Sequence, residues 1–530
     1  MEGIESGDQS AARLMPAAFV FAISFAVILI LHFPLLRLPY FWDEAGYYIP
    51  AARDLFLSGT LIPHSTPSNA HPPVIMAYLS ACWKIAGYSL VTTRVAMLVI
   101  AAVSITGLVR LAEVVANRQV AIATALCTAI YPVFFVQSSL AQVDLAAAGF
   151  TFWGLHAYIQ NRPWAIGFWM SLAALTKETA ILAPLALVAW ELLSVCLNSA
   201  RWPQTGNGSK NRGQRLLALI VPFIILAAWY GYHYRVTGYL LGNPEYFRYN
   251  VQSTLNPLRA LIALGLRLWQ TFGYLHLWIL SAAMALAMYR PALKDLHELR
   301  KRIAIPTQLV FLAVGLVYVV FMSIVGGAAL ARYMLPVVPL VILTAVSTLW
   351  RRVQRWVAIL AMVIASFAAS LFWPPPYGFS LEDNLAYRDY IVMHQRAAQF
   401  LEKRFPSSRV LTAWPASDEF SRPYLGYVDR PLQVVRVEDF SAEQVMAAAD
   451  ERRIYDVAFV FSTKFQPSHP LFARWRAWQD LKSRFFGYHR DLPPQAVAQI
   501  LGGNIEFMEA REGQWAAVIS IEQIEDAQLR

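Results

Sequence analysis

Charge is what this sequence has least of. Asp, Glu, Lys and Arg together make up 15% of its 530 residues, against about 25% in an ordinary soluble domain. Water is thereby excluded as the main solvent of the chain. Hydrophobic residues reach 57% and the mean hydropathy is +0.43, which points to lipid. Cysteine is also scarce. Cys82, Cys127 and Cys196 are scattered, two of them inside apolar runs, which excludes a disulfide framework and suits small packing residues. No Cys/His cluster has zinc-ligand spacing. Internal repeats and long low-complexity segments are missing, Gly206 to Gly213 being only a short polar loop. The net charge of +10 does not mark a nucleic-acid binder. The basic residues sit in short clusters between apolar runs, as in proteins that orient themselves across a membrane.

What is present is a series of apolar runs. The first, Ala17 to Leu36, follows a polar start; at about 20 residues it is long enough to span a bilayer and too long for a cleaved signal segment. About eleven spans are predicted, near 17–36, 91–110, 119–137, 144–160, 164–177, 179–198, 216–235, 261–289, 306–325, 333–350 and 356–373. Basic residues occupy alternate connections: Arg110 and Arg118, Arg162, Arg201 to Arg215, Arg290 to Arg302, and Arg351 to Arg355. With residues 1–16 in the cytoplasm, all of them fall on the inner side. The outer side then receives the first loop (37–90), the turn at Asp144, the 236–260 loop and everything beyond Trp373. Pro374, Pro375 and Pro376 end the last span. Residues 374–530 have a water-soluble composition and read as a small external α/β domain, with strands at 409–414, 455–462 and 515–521 and a helix at 441–453. The expected fold is an all-α polytopic membrane domain over 17–373 followed by that unit.

Two features of the first loop carry chemistry. Trp42-Asp43-Glu44-Ala45-Gly46-Tyr47-Tyr48 puts adjacent carboxylates among aromatics at the edge of a span. Carboxylates at a low-dielectric boundary are costly unless paired or functional. The plain reading has Asp43 capping a short helix and Glu44 in solvent. Further on, Asn69-Ala70-His71-Pro72-Pro73 sets His71 just ahead of a helix start, where anions are favoured; either His71 helps bind a phosphate or it only closes the loop.

These segments resemble the C-type glycosyltransferase superfamily, with the nearest likeness to bacterial aminoarabinose-transferase-like and protein O-mannosyltransferase-like enzymes. The likeness rests on Trp42-Asp43-Glu44 with Tyr47, on His71-Pro72-Pro73, and on Arg94 opening the second span. It continues through Asp144 in Ala141-Gln142-Val143-Asp144, Thr176-Lys177-Glu178, and Arg332-Tyr333 through Pro339. It covers about residues 17–373; the tail has no usable likeness. Many aminoarabinose-transferase-like members carry Lys where this chain has His71, so the motif leaves the acceptor open.

The resemblance implies inverting transfer of a sugar from a polyprenyl-phosphate donor to an acceptor at the external face of a bacterial inner membrane. Asp43 is the expected base, with Glu44 next. His71, Arg94, Lys177 and Arg332 are expected to meet the donor phosphate, Arg332 foremost because its planar fork suits phosphate oxygens. Asp144 would position the acceptor, bind a metal or pair with one of these cations. Glu178, Tyr333, Tyr47 and Arg248 are supporting candidates, and the 236–260 loop, with Tyr239, Glu245, Tyr246 and Tyr249, is expected to cover the carrier or shape the acceptor entrance. A divalent cation (Mg or Mn) on Asp43, Glu44 and Asp144 is left open, as is the acceptor, whether lipid, protein or polysaccharide. The competing class is a carrier or flippase of a lipid-linked saccharide, which would need polar residues throughout the bilayer depth.

Overall fold

The computed structural model describes residues 14–196, 212–250, 254–295, 298–467, 471 and 475–522. Loop residues Arg201 and Lys210 lie outside them, as do the side chains of Glu245 and Tyr249. Each predicted apolar run falls on helix. In chain order these helices are α1 (Ala17–His32), α2 (Ile49–Ser58), α3 (Val74–Ala86), α4 (Leu90–Val115), α5 (Arg118–Ile130), α6 (Pro132–Gln137), α7 (Asp144–Ile159) and α8 (Pro163–Thr176). They continue with α9 (Leu182–Cys196), α10 (Arg212–Thr237), α11 (Pro244–Asn250), α12 (Pro257–Phe272), α13 (Leu277–Met288), α14 (Ile305–Ile324), α15 (Val338–Arg352) and α16 (Trp356–Phe372). Local chemistry sets many of the starts. Ser89, Asn117 and Asn256 cap α4, α5 and α12 by accepting from free backbone N–H groups, and Pro opens α6, α8 and α14 where no donor is lost.

Among the described residues, five helical segments are long and apolar enough to cross a membrane: Ala17–Leu35, Leu90–Val115, Arg212–Thr237, Pro257–Met288 and Ile305–Ile324. Shorter apolar helices accompany them. Two predicted spans break well inside their length. The 119–137 run breaks where Tyr131 turns extended and Pro132 starts α6. The 261–289 run breaks at Leu275 and His276, both with positive φ (47° and 68°), a conformation that costs a non-glycine residue about 1–3 kcal/mol. Periodicity and apolar length could not reveal these breaks, because the residues in them are themselves apolar or aromatic.

Two clusters of charged groups gather at opposite ends of the helices. Arg110 bonds the Met15 carbonyl (2.9 Å) and Glu113 (3.1 Å), and Arg215 and Arg212 meet Glu191 (2.8 and 3.2 Å). Arg300 bonds the Trp350 carbonyl (2.6 Å) beside a short β1–β2 ribbon (Lys294–Asp295, Glu298–Leu299). These groups lie at the C-terminal ends of α4, α9 and α15 and the start of α10. The opposite ends of α7, α8 and α15 adjoin Asp144, Lys177 and Arg332.

Beyond α16 the chain forms α17 (Ala386–Arg404) and a five-stranded sheet of order β4-β3-β5-β7-β6. The strands are β3 (Arg409–Ala413), β4 (Gln433–Val437), β5 (Val457–Phe461), β6 (Gly503–Arg511) and β7 (Gln514–Ile521). β3 pairs in parallel with β4 and β5, and β7 pairs antiparallel with β5 and β6. β5 is buried along its whole length and reads as a continuous apolar run, as a central strand covered on both faces should. The helices α18 (Ala416–Ser421), α19 (Ala442–Asp450), α20 (Arg476–Phe486) and α21 (Pro494–Leu501) complete the unit. It sits on the first loop. Tyr40 N donates to the Leu425 carbonyl (3.2 Å), Tyr427 Oη to the Tyr40 carbonyl (3.1 Å), and Trp42 meets Trp414 edge-on at 5.4 Å. A Cβ on Gly46 would fall 2.6 Å from the Trp414 ring, so glycine is what allows this close approach.

Candidate active site

Asp43 and Glu44 start a turn of π-helix over Glu44–Tyr48. Neither expectation of the plain reading holds: Asp43 makes no capping bond, and Glu44 is fully buried rather than solvated. Adjacent residues on such a turn point in different directions, and here they meet different arginines.

Glu44 binds Arg94. It also accepts from Phe41 N (2.8 Å) and Ala141 N, while Arg94 donates to the carbonyls of Ser139 (2.9 Å) and Pro39 (2.7 Å). Neither residue lines the large cavity described below. Both were expected in the chemistry, Glu44 as an alternative base and Arg94 on the donor phosphate. In the structure the two charges are satisfied by each other and by backbone, and they join the first loop to the α6–α7 connection.

Asp43 meets Arg332 instead. Arg332 lies on a short 3-10 turn, Ala331–Met334, just before α15. Its guanidinium also contacts Glu382, Gln142 (2.6 Å) and, through Nε, Asp144 (3.2 Å). Asp144 in turn binds Lys177, whose ammonium lies 3.9 Å over the Tyr333 ring. A second, smaller set adjoins it: His71 Nδ1 lies 3.0 Å from Glu178, and the Tyr246 hydroxyl is 3.5 Å from His71 Nε2. Seven chain segments far apart in sequence therefore converge. Within the carboxylates around Arg332, the Asp43 side chain is 32% exposed, against 3% for Asp144 and 4% for Glu382; Asp43 is the most open of the three.

All of this borders a cavity of about 2590 Å³ between the helices and the C-terminal unit. Asp43, Tyr47, His71, Lys177, Glu178, Arg248, Arg332 and Tyr333 line it, whereas Asp144 lies behind them. The 236–260 loop forms part of the wall through Leu241, Asn243 and Tyr246 and is tied to the first loop by Asn243 N donating to the Ser68 carbonyl (2.9 Å). Among the described residues no group of three or more His, Cys, Asp or Glu side chains is arranged to hold a metal ion; the oxygens of Asp43 and Asp144 are directed to Arg332 and Lys177.

Sequence reasoning missed Glu382 and Asp383, at the start of the C-terminal unit. Burial raises the Glu382 carboxyl above its ordinary range, with Arg332 pulling the other way. Burial raises Asp383 to about 7. The signal was available: Leu381-Glu382-Asp383-Asn384 is a second pair of adjacent acids just outside a span. It was passed over because it lies in the segment read as a separate soluble domain.

The fold has known counterparts. Residues 70–232 match the family described as dolichyl-phosphate-mannose-protein mannosyltransferase. Over 95% of this chain and 98% of the other, the fold is similar to that of ArnT from Cupriavidus metallidurans, solved bound to undecaprenyl phosphate, with 15% identity and a TM-score of 0.52. It is also similar to the arabinofuranosyltransferase AftD from mycobacteria, at 14% identity and a TM-score of 0.50, over 96% of this chain and 40% of that one. No curated protein sequence matches the chain. The chain has the fold of the C-type glycosyltransferases.

Proposed function

We propose that this protein transfers a sugar from a polyprenyl-phosphate donor to an acceptor hydroxyl, with inversion, in the cavity beneath its C-terminal unit. The observation that carries the reading is the contact of Asp43 with Arg332 at the cavity wall, a reachable carboxylate beside a multiply bonded guanidinium. In the reaction the acceptor hydroxyl loses its proton to Asp43. Its oxygen attacks the anomeric carbon, and the bond to the lipid phosphate breaks on the opposite face. The electron pair leaves with the phosphate, which gains a negative charge. A positioned base contributes ~10²–10⁴-fold. Fixed cations at the leaving oxygen supply much of the rest, because they need no reorganisation as charge develops.

Arg332 and Lys177 are the cations best suited to that oxygen. Asp144 binds both and so acts as a positioning residue that fixes their spacing. His71, held by Glu178, adds a donor at the same wall. Glu44 and Arg94 brace the turn that carries Asp43. With the N-terminus in the cytoplasm, the clustered arginines at the far helix ends lie inside and the cavity faces outward.

The test is transfer of radiolabelled sugar from defined polyprenyl phosphates to cell-envelope fractions by purified full-length protein, wild type beside Asp43→Asn. Loss of transfer in the variant is the expected result, and full transfer by it overturns the assignment. Movement of the labelled donor across a vesicle bilayer without any transfer would favour the carrier reading. Repeating the assay with EDTA, then with added Mg or Mn, answers the question of metal dependence.

A further inference from the structure

Among the ionisable groups on the cavity wall that this chemistry does not use is Asp383. It is 1% exposed and lines the cavity. Its Oδ2 accepts from the Tyr274 hydroxyl at 2.7 Å, but its Oδ1 is buried with no hydrogen-bond partner. Buried polar atoms are almost always bonded, and one that is not asks for a reason. A purely structural tie between the C-terminal unit and the helices accounts for Oδ2 and leaves Oδ1 unexplained.

The surroundings of Asp383 have a definite chemistry. Tyr274 and Tyr377 lie 5.9 Å apart between ring centres, and Trp269 meets Tyr377 edge-on at 6.2 Å. All three line the cavity, together with Gln270. Tyr274 is set in place by the helix break, where Leu275 and His276 take left-handed backbone conformations; such conformations persist where the surrounding structure demands them, and they concentrate at functional sites. The Leu275 N–H donates to the Tyr377 hydroxyl at 3.3 Å, so the break and the aromatic wall form one unit. The cations are placed differently. Lys177, His71, Arg332, Lys464, Lys482 and Arg490 line the same cavity, but none of them bonds Asp383, whereas Arg267, which bonds Gln270 at 2.8 Å, is buried and does not line the cavity. A phosphate here would face the carboxylates of Glu382 and Asp383. A ligand with hydroxyl donors and apolar C–H faces would find a free acceptor and aromatic surfaces, the make-up of a selective small-molecule pocket.

Building on the transferase reading, we propose that Asp383, Tyr274, Tyr377 and Trp269 form the acceptor subsite, and that the acceptor bound there is an uncharged saccharide whose hydroxyl donates to Asp383 Oδ1. The carboxyl of Asp383, raised to about 7 by burial, can then accept or donate to a hydroxyl near neutral pH. Glu382, the preceding residue, bonds Arg332, and the Arg332 charge also acts on Asp383.

The test uses purified full-length protein with a polyprenyl-phosphate sugar and three kinds of acceptor probe: alkyl hexosides and pentosides, a Ser/Thr peptide, and a hexose phosphate. Wild type is expected to use the neutral glycosides. Asp383→Asn should raise their KM about tenfold or more with a smaller change in kcat, and Tyr377→Leu, which leaves the Tyr274 bond to Asp383 in place, should shift KM in the same direction. Saturation-transfer NMR reads glycoside binding without any reaction, and undecaprenyl phosphate binding reports that each variant is folded. Glycoside KM and binding unchanged in both variants, or wild-type use of only the peptide or the phosphorylated probe, overturns the subsite. Glycoside binding that weakens in Asp383→Asn while wild type transfers to no probe would uphold the subsite and overturn the transferase reading instead.

Discussion

Asp43 and Glu44 are neighbours in sequence, each is bonded to an arginine, and the two pairs do opposite things. The Glu44–Arg94 pair is sealed: no atom of it lines the cavity, and backbone N–H and carbonyl groups complete its bonding. The Asp43–Arg332 pair stands at the cavity wall, and Arg332 is shared by three carboxylates. A buried pair whose members are satisfied by each other is a brace. A cation surrounded by more anions than it needs, next to open space, can exchange one of them for a substrate phosphate. An ion pair in a membrane protein thus reveals its role by what else its partners touch.

The largest effect separating the two pairs is expected at Asp43. Asp43→Asn should lower transfer by ~10²–10⁴-fold with normal yield of folded protein, because Arg332 keeps Glu382 and Asp144. Glu44→Gln should do the reverse. Leaving Arg94 buried without its counter-charge costs about 3–5 kcal/mol, which thermal unfolding in detergent would register, and activity per folded molecule should change little. The double variant Glu44→Gln with Arg94→Met should recover most of that stability, since removing both members of a buried pair is often neutral; failure to recover would mean that Arg94 has a further task. Arg332→Lys sharpens the comparison from the cation side. It keeps the charge but loses the planar fork, and transfer should fall by roughly 10²-fold, the scale of one lost donor to a developing oxyanion. A near-wild-type rate would shift the phosphate contact to Lys177.

The smallest effect concerns pH. Asp383 has a folded pKa of about 7 against an ordinary 3.8, so the folded state binds its proton more tightly than the unfolded state. Its contribution favours the fold at low pH and is lost as pH rises from about 4 through 7. Unfolding temperature should therefore decline across that window, and Asp383→Asn should flatten the decline. An unchanged slope would assign the effect to Glu382 or Glu419, whose carboxyls burial also raises.

Much of this molecule could be read in one dimension. The apolar runs all became helices. Strands expected at 409–414, 455–462 and 515–521 are present as β3, β5 and β7, because each is a short apolar or β-branched run between turns. β4 and β6 were missed, since alternating exposure gives edge strands such as Gly503–Arg511 a polar look. Of the candidate residues, Asp43, His71, Lys177 and Arg332 line the cavity, and Glu44 and Arg94 do not. Spacing could not separate them: both acids sit beside the same aromatics, and both arginines lie at the end of an apolar run.

Composition and the order of short motifs sufficed to determine that the chain lives in lipid, where its helices fall, and which polar residues are too costly there to be idle. Those properties depend on local hydrophobicity and charge, which each segment carries by itself. Direction and company were decided only by the tertiary structure. One step along a helical turn is enough to send Glu44 into a sealed brace and Asp43 to open space. Arg332 acquired Glu382 because a segment beyond the last span folds back onto the helices, a contact that no local property of either residue encodes.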